Sequence, residues 1–495
     1  MGNGKNIKIF LALGEDDLEN DKNSIGNFVR NLNQIYSKQN IYFKLVYNND
    51  LKLDEEEIKD SQLFIILFGK DIKEVARKEF NIAYENFSEG TSPKITTYVK
   101  KTEEQQGQEV LDFLKSLSDE LGHYYSVYDN IDTVKLNLIM QLNALDLQEV
   151  KMETNNGKIL LNKQEVMKID SVPMIYNNED LRNLKKEYKE LDERKWKLKE
   201  EVEMNEKYEL QDELNRVTQR CIIVKKEILN LEQEIINLES NFVKDAGKGK
   251  LTQRQIYARR CLERGKLKEA EEALSYDEIN ENLTELESVN HRDEIQAHVN
   301  ELIQRANTYR MDISNQDRFK EIERSYDRAV KAEIDNGLDR EATREYGGYL
   351  FLQKRYKKAE QLLKSYIYYQ KSKGIEVDSD YYNAFAQCYT MMGNLEEAEK
   401  VMSDALKIQK SLNEDKIKLG NIYGNMAIMH YTASDYRKGK EEAENAIKLI
   451  EETPNADFIT SAPTISMSYI IKGIAEIEES DIDGAIEDIT KGVDY

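Results

Sequence analysis

The side chain with most to offer chemistry lies in the stretch 71–87. At about 100° per residue, Ile72, Val75, Ala76, Phe80, Ala83 and Phe87 fill one arc of a helix, and Glu79 falls inside that arc. Lys73, Arg77, Lys78 and Glu85 take the other side. A carboxylate that faces inward is either paired or held for use. Paired with Arg30 or a lysine, Glu79 would be structural; open to a cleft, it would be a reagent. Of the 94 acidic residues, Glu79 is the one this pattern turns inward. Other centres fall away. Cys221, Cys261 and Cys388 are odd in number and far apart, so they make no metal or redox pair and fit a reducing cytoplasm. His123, His291, His298 and His430 offer no ligand cluster, so no metal site is expected. The segment 246–250 (AGKGK) lacks the spacing of a phosphate loop and reads as a linker.

An α/β domain must position Glu79. Residues 7–13 (IKIFLAL), 41–47, 63–68 (LFIILF) and 95–99 read as strands, and 25–36 as a helix with Ser24 at its N-cap. Apolar strands separated by helices imply a parallel sheet covered on both faces. The expectation is a small doubly wound α/β domain over 1–146. Ligands bind such sheets beyond the carboxyl ends of the strands. Those ends are Gly14-Glu15-Asp16, Asn48-Asn49-Asp50 and Gly69-Lys70. Gly14, Glu15, Asn48 and Gly69 are therefore the candidate substrate-binding residues beside Glu79. His123, with Tyr124 and Tyr125, is expected in a buried cluster fixing the last helix.

The rest of the chain is read as connector and helices. Residues 147–177 carry Asn155-Asn156-Gly157, a turn signal for a β-hairpin. Residues 178–245 contain neither proline nor glycine, and the apolar positions from Leu210 to Phe242 alternate steps of four and three, a coiled-coil seam. An earlier seam from Leu181 to Val202 is out of phase. Either one helix of ~100 Å carries a stutter, or the chain turns back as a hairpin; the first favours self-association, the second an internal pair.

Residues 251–495 repeat a phrase joining a short turn to a helix. It begins at Arg264, Lys354, Gly393, Ser434 and Ser480, the last four 39, 41 and 46 residues apart. A second small residue follows the phrase one heptad on, at Ala405, Ala446 and Gly492, a device for close helix stacking. Tyr381, Tyr382, Phe385 and Tyr389, or Asn421, Tyr423, Asn425 and Met429, would face the inside of the array, either to bind peptides or to pack. The net charge of −23 argues against nucleic acid. No apolar run reaches the ~20 residues of a membrane span, and the N-terminus lacks the layout of a secretory signal.

The segments IKIFLAL, YFKLVY, DSQLFIILFGKDIKEVARKEFNIAYENF and PKITTYVK together resemble a bacterial Toll/interleukin-1 receptor (TIR) domain. The phrases at 354, 393, 434 and 480 resemble tetratricopeptide repeats with lengthened helices or loops. The layout is similar to bacterial proteins that join a TIR-like domain to such repeats. The resemblance implies a cytoplasmic signalling or defence protein whose repeats bind a protein partner and whose TIR-like domain responds, assembling into homo-oligomers through itself or the coiled coil. It implies NAD as a substrate rather than a cofactor, cleaved to nicotinamide and ADP-ribose, with Glu79 at the position of the family's essential glutamate. It equally allows a non-enzymatic scaffold. Enzymatic members often carry a tryptophan near the glutamate, and the one tryptophan here is Trp196.

Overall fold

A computed structural model describes residues 5–37, 40–48, 53–89, 92–102, 106–117, 121, 123, 125–143, 152–155, 158–161, 164–168, 172–204, 208–247, 251–289, 291–412, 416–453 and 458–494. The N-terminal region alternates β1 (Lys5–Leu13), α1 (Glu19–Tyr36), β2 (Ile41–Tyr47), α2 (Glu55–Lys59), β3 (Leu63–Phe68), α3 (Glu74–Glu89), β4 (Lys94–Lys100), α4 (Gln108–Lys115), β5 (Tyr125–Tyr128) and α5 (Asp132–Asn143). The strands form one parallel sheet in the order β2-β1-β3-β4-β5. The central strand β3 is buried at all six positions, as a parallel sheet covered on both faces requires. The sequence pattern marks four of these strands. The fifth, YSVY, escapes it because it is a short edge strand alternating between buried and more open positions.

The expected hairpin is a three-stranded antiparallel sheet, β6 (Met152–Asn155), β7 (Lys158–Leu161) and β8 (Gln164–Lys168). Asn155 pairs with Lys158 across the turn; Asn156 and Gly157 lie outside the described residues.

Long helices follow: α6 (Pro173–Asn177), α7 (Glu179–Met204) and α8 (Tyr208–Gly247). Ion pairs Lys185–Glu232 (2.9 Å), Arg220–Glu187 (2.8 Å) and Arg194–Glu213 (2.9 Å) join α7 to α8 in antiparallel order. The two helices are thus a hairpin and not a single rod. The two exposed pairs, Arg220–Glu187 and Arg194–Glu213, contribute little, ~0–1 kcal/mol each, while Lys185 reaches the buried Glu232. The seam does more: Leu181, Leu198, Cys221, Val224, Leu231, Ile235, Leu238 and Phe242 are all buried within the chain.

The chain divides into two compact units, 1–325 and 326–495. The first ends with α9 (Gln253–Glu263), α10 (Leu267–Ala273), α11 (Tyr276–Val289), α12 (Arg292–Met311) and the start of α13 (Arg318–Asp335). The second holds the rest of α13, then α14 (Glu341–Leu352), α15 (Tyr356–Ser372), α16 (Ser379–Met391), α17 (Leu395–Leu412), α18 (Lys416–Thr432), α19 (Tyr436–Glu451), α20 (Phe458–Glu478) and α21 (Ile482–Asp494). From α14 on, each helix packs on the next, and α14, α16, α18 and α20 also stack on one another. Among the described residues, no helix is long and apolar enough to cross a membrane.

The sequence repeat reappears as one repeated turn. Each phrase leaves its helix through a residue of positive φ: Gly265 (72°), Lys354 (59°), Gly393 (79°), Ser434 (59°) and Ser480 (67°). The next residue donates its N–H five residues back, Lys266 to Cys261, Arg355 to Leu350, Asn394 to Tyr389, Asp435 to His430 and Asp481 to Glu476, each at 2.9 Å. This is the Schellman closure of a helix end. The small residues then let helices meet: a Cβ on Gly473 would lie 2.7 Å from Ile489, and one on Gly492 would lie 2.8 Å from the Ser466 carbonyl. Tyr382, Phe385, Tyr389 and Met429, candidates for an inner binding face, are buried, so packing accounts for them.

Three of the five turns hold a left-handed conformation without glycine. Lys354→Gly, Ser434→Gly and Ser480→Gly are each expected to stabilise the chain by roughly 0.5–1 kcal/mol in urea unfolding. Gly393→Ala meets no atom within 4 Å and should cost only about 1 kcal/mol of backbone strain. Gly265→Ala, whose Cβ would lie 2.5 Å from the Asn177 carbonyl oxygen, should cost more.

Candidate functional site

Three of the sequence candidates meet where β1 and β3 end. Gly14 donates its N–H to the Leu67 carbonyl (2.7 Å), and its own carbonyl accepts from Lys73 (2.7 Å). A Cβ on Gly14 would lie 2.4 Å from that of Phe68, so only glycine lets the two strand ends come this close. Glu15 turns back over Gly69, where a Cβ would lie 2.3 Å from its Oε1. Its Oε2 accepts the Asp71 N–H at 3.3 Å. Burial raises the Glu15 carboxyl above its usual range, and the Asp71 and Lys70 N–H groups oppose that shift. Gly14, Glu15 and Gly69 are therefore a backbone lock that sets the entry to α3. Capping is the role this geometry gives Glu15.

The carboxyl ends of β4 and β5 carry a second cluster that the sequence pattern did not single out. Asp21, on α1 and largely buried, accepts from Lys100 Nζ and from the Tyr128 hydroxyl, both at 2.9 Å. Asp21, Ile25 and Phe28 share one helix face, so the helical-wheel test that finds Glu79 would have found Asp21 also.

Glu79 sits on α3 with Ala76, Phe80 and Ala83, which are buried like Ile72 just before the helix, and is itself only 2% exposed. Its inward orientation is as the periodicity implies. Asn48, directly after β2, donates from Nδ2 to Glu79 Oε1 at 3.1 Å. Arg30, the anticipated cation, bonds Asn27 instead. Arg77 bonds Glu109 at 2.9 Å. Burial pushes the Glu79 carboxyl up to about 7, against the opposing Asn48 hydrogen bond. Asn49 and Asp50 lie outside the described residues.

Glu79 is not the lone buried acid that sequence suggested. Glu232, Glu239, Glu301, Asp312, Glu333, Glu476 and Asp488 are buried too. What differs is what they are given. Glu232 meets Lys185, Glu239 meets Arg259, and Glu301 meets His298 and Arg254. Asp312 accepts the Asn315 N–H. Glu333 caps α14 through the Ala342 and Thr343 N–H groups. Lys472 reaches both Glu476 and Asp488. Among the described residues, Glu79 is the buried carboxylate served by a neutral side-chain amide, with no cation and no backbone donor. The arrangement can hold a proton near neutral pH and release it to give an anion in an apolar surround.

His123 supports α3 from beneath. Its ring lies 5.5 Å from Phe80 and 6.3 Å from Tyr84, and its Nε2 is 3.0 Å from Thr97 Oγ1. Burial pushes its pKa down to about 4, so the imidazole is neutral, as a packing role requires. Tyr84 donates to the Leu121 carbonyl at 3.1 Å; Tyr124 lies outside the described residues. Among the described residues, no group of three or more His, Cys, Asp or Glu could hold a metal ion.

No family model matches the chain, and no curated protein does. Among solved structures it is similar to a crystal structure of BtubC (BKLC) from P. vanneervenii. The match has 17% identity over 44% of this chain and 87% of that one, with a TM-score of 0.34. At that score it carries no argument about family or function.

The buried carboxyl makes a stability prediction. Unfolded, Glu79 titrates near 4.5; folded, near 7. Below 4.5 both states hold the proton and its cost is absent; as pH rises to 7 the unfolded chain ionises first and the folded state loses ground. Glu79→Gln should match wild type at pH 4 and exceed it by roughly 3 kcal/mol at pH 8 in urea unfolding.

Proposed function

We propose that this chain is a cytoplasmic signalling or defence protein in which a TIR-like α/β domain is the effector and a tetratricopeptide-type array binds a protein partner. The reaction proposed is cleavage of NAD to nicotinamide and ADP-ribose. Glu79 carries the reading. A buried carboxylate with neither cation nor backbone donor costs stability, and such groups concentrate where chemistry uses them. The glycosidic electron pair leaves with nicotinamide, neutralising its ring cation, and the oxocarbenium-like ribose left behind is captured by water, which loses a proton to give ADP-ribose. An anionic Glu79 stabilises that charge or orients the ribose hydroxyls. Asn48 holds the carboxylate in place by its hydrogen bond. Five turns of one geometry support the tetratricopeptide reading of the array. With the α7–α8 seam used inside the chain, assembly would proceed through the α/β domain.

A non-enzymatic scaffold is the second reading, favoured by the 2% exposure of Glu79. The assay that separates them follows nicotinamide release from NAD by chromatography, with the full chain concentrated or artificially clustered. Wild type should release nicotinamide, and Glu79→Ala should lose at least about a hundredfold, roughly 2.7 kcal/mol of transition-state stabilisation. Because the working form is the anion, release should rise with pH through about 7. Asn48→Ala should move that midpoint upward by removing a donor to the anion. Absence of release under every clustering condition leaves the scaffold.

A further inference from the structure

The repeated turn places α15, α17 and α19 in register, Lys354 on Gly393 and Ser434. On α15, Lys357, Gln361, Lys364, Tyr368 and Lys371 recur at steps of four, three, four and three. At about 100° per residue they share one arc of about 80°. The helix packs through a different face, with Ala359, Leu363 and Ile367 buried. The stripe itself faces water: Lys357, Gln361 and Lys371 are exposed, and Tyr368 is 60% exposed.

The corresponding positions of α17 and α19 mix bases with acids. On α17, Glu396 meets Lys400 at 2.9 Å, and Asp404 stands 3.8 Å from Lys407. On α19, Arg437 and Lys448 share the stripe with Glu441, Glu444 and Glu451. On α15 the balance is gone. Residues 354–373 hold seven bases and one acid, Glu360. Glu360 comes only to 3.9 Å of Lys364, whose side chain stays 45% exposed. Lys358, beside the stripe, is taken by Asp327 at 2.8 Å. Lys357 meets no acid among the described residues. Lys371 lies 5.0 Å over the Tyr382 ring, which leaves its charge uncancelled. A chain with 94 acids and 71 bases has acids enough to screen this row, and on α17 and α19 it uses them.

We propose that the Lys357–Lys364–Lys371 row of α15, with Tyr368 in its midst, is a docking surface for an acidic helix of a partner protein. The three lysines stand a heptad apart, about 10.5 Å along the axis. A second helix laid alongside returns the same face at that interval. Carboxylates a heptad apart on the partner meet the lysines, and an aliphatic residue between them covers the Tyr368 ring, an aromatic anchor ringed by charge. A phosphate polymer shares the preference for bases, but the net charge of −23 repels it over its whole length. The inference rests on the partner reading of the array and is independent of the NAD chemistry.

The test uses the full chain and fluorescein-labelled 18-residue helical peptides. One carries glutamates seven residues apart with leucine midway between them, a second has lysine for each glutamate, and a third has the glutamates five apart. In fluorescence anisotropy the first should bind, more weakly as salt rises. The other two should bind at least about tenfold more weakly, ~1.4 kcal/mol. Tyr368→Ala should weaken the first peptide by a similar factor. The pair Lys357→Glu and Lys364→Glu, both at solvent-facing positions, should switch the preference to the lysine peptide. Binding that is unchanged by this pair overturns the stripe while leaving the partner reading of the array; no binding by any peptide counts against both. Tighter binding of a single-stranded RNA oligonucleotide than of the first peptide also overturns the proposal, assigning the row to phosphate.

Discussion

A carboxylate taken out of water must recover from the protein the interactions it gives up, or it holds its proton and gives up its charge. With 94 acidic residues and a net charge of −23, this chain meets that constraint repeatedly. Most of its acids stay in water on long helices. Among the described residues, the other buried acids are met by a lysine, an arginine, a helix N-terminus or, for Asp312, a turn N–H: Asp21 by Lys100, Glu239 by Arg259, Glu333 by the start of α14. Glu79 alone is met by an amide side chain, and burial lifts its carboxyl to about 7 against that hydrogen bond. The stability argument and the proposed chemistry both come from that one exception.

The scaffold around Glu79 explains how the exception is tolerated. Gly14 lets the ends of β1 and β3 close to a distance that a side chain there would forbid, Gly69 leaves room for the Glu15 carboxylate, and Glu15 secures the closure through the Asp71 N–H. Below α3, a neutral His123 and the ring of Phe80 fill the space against Thr97. A rigid helix pinned at its entry and along its buried face can carry an unpaired carboxyl inward, because the packing around it outweighs the local cost.

In the helical units the governing requirement is the meeting of apolar faces. The α7 and α8 seams satisfy one another inside the chain, and the small residues of the array let successive helices meet at backbone distance.

Much of this was readable from residue order. Local periodicity marks an element and the face it turns inward, because the period of 3.6 or 2 belongs to the backbone itself. It marked four of five strands, the inward side of α3, the α7–α8 seams and the five turn phrases. It also brought Gly14, Glu15, Asn48 and Gly69 to the strand ends. Periodicity could not say what each inward group would meet. That Asn48 rather than Arg30 would face Glu79, that Glu15 would cap a loop, that Asp21 would share the sheet end with Lys100 and Tyr128, and that α7 would turn back on α8 are outcomes of distant segments brought together. The short edge strand β5 likewise declares itself only beside β4. Sequence determines which side chains leave water, because that depends on neighbours three or four residues away. Only the tertiary structure decides their partners, because a buried charge is satisfied by whatever the folded chain places within about 3 Å of it.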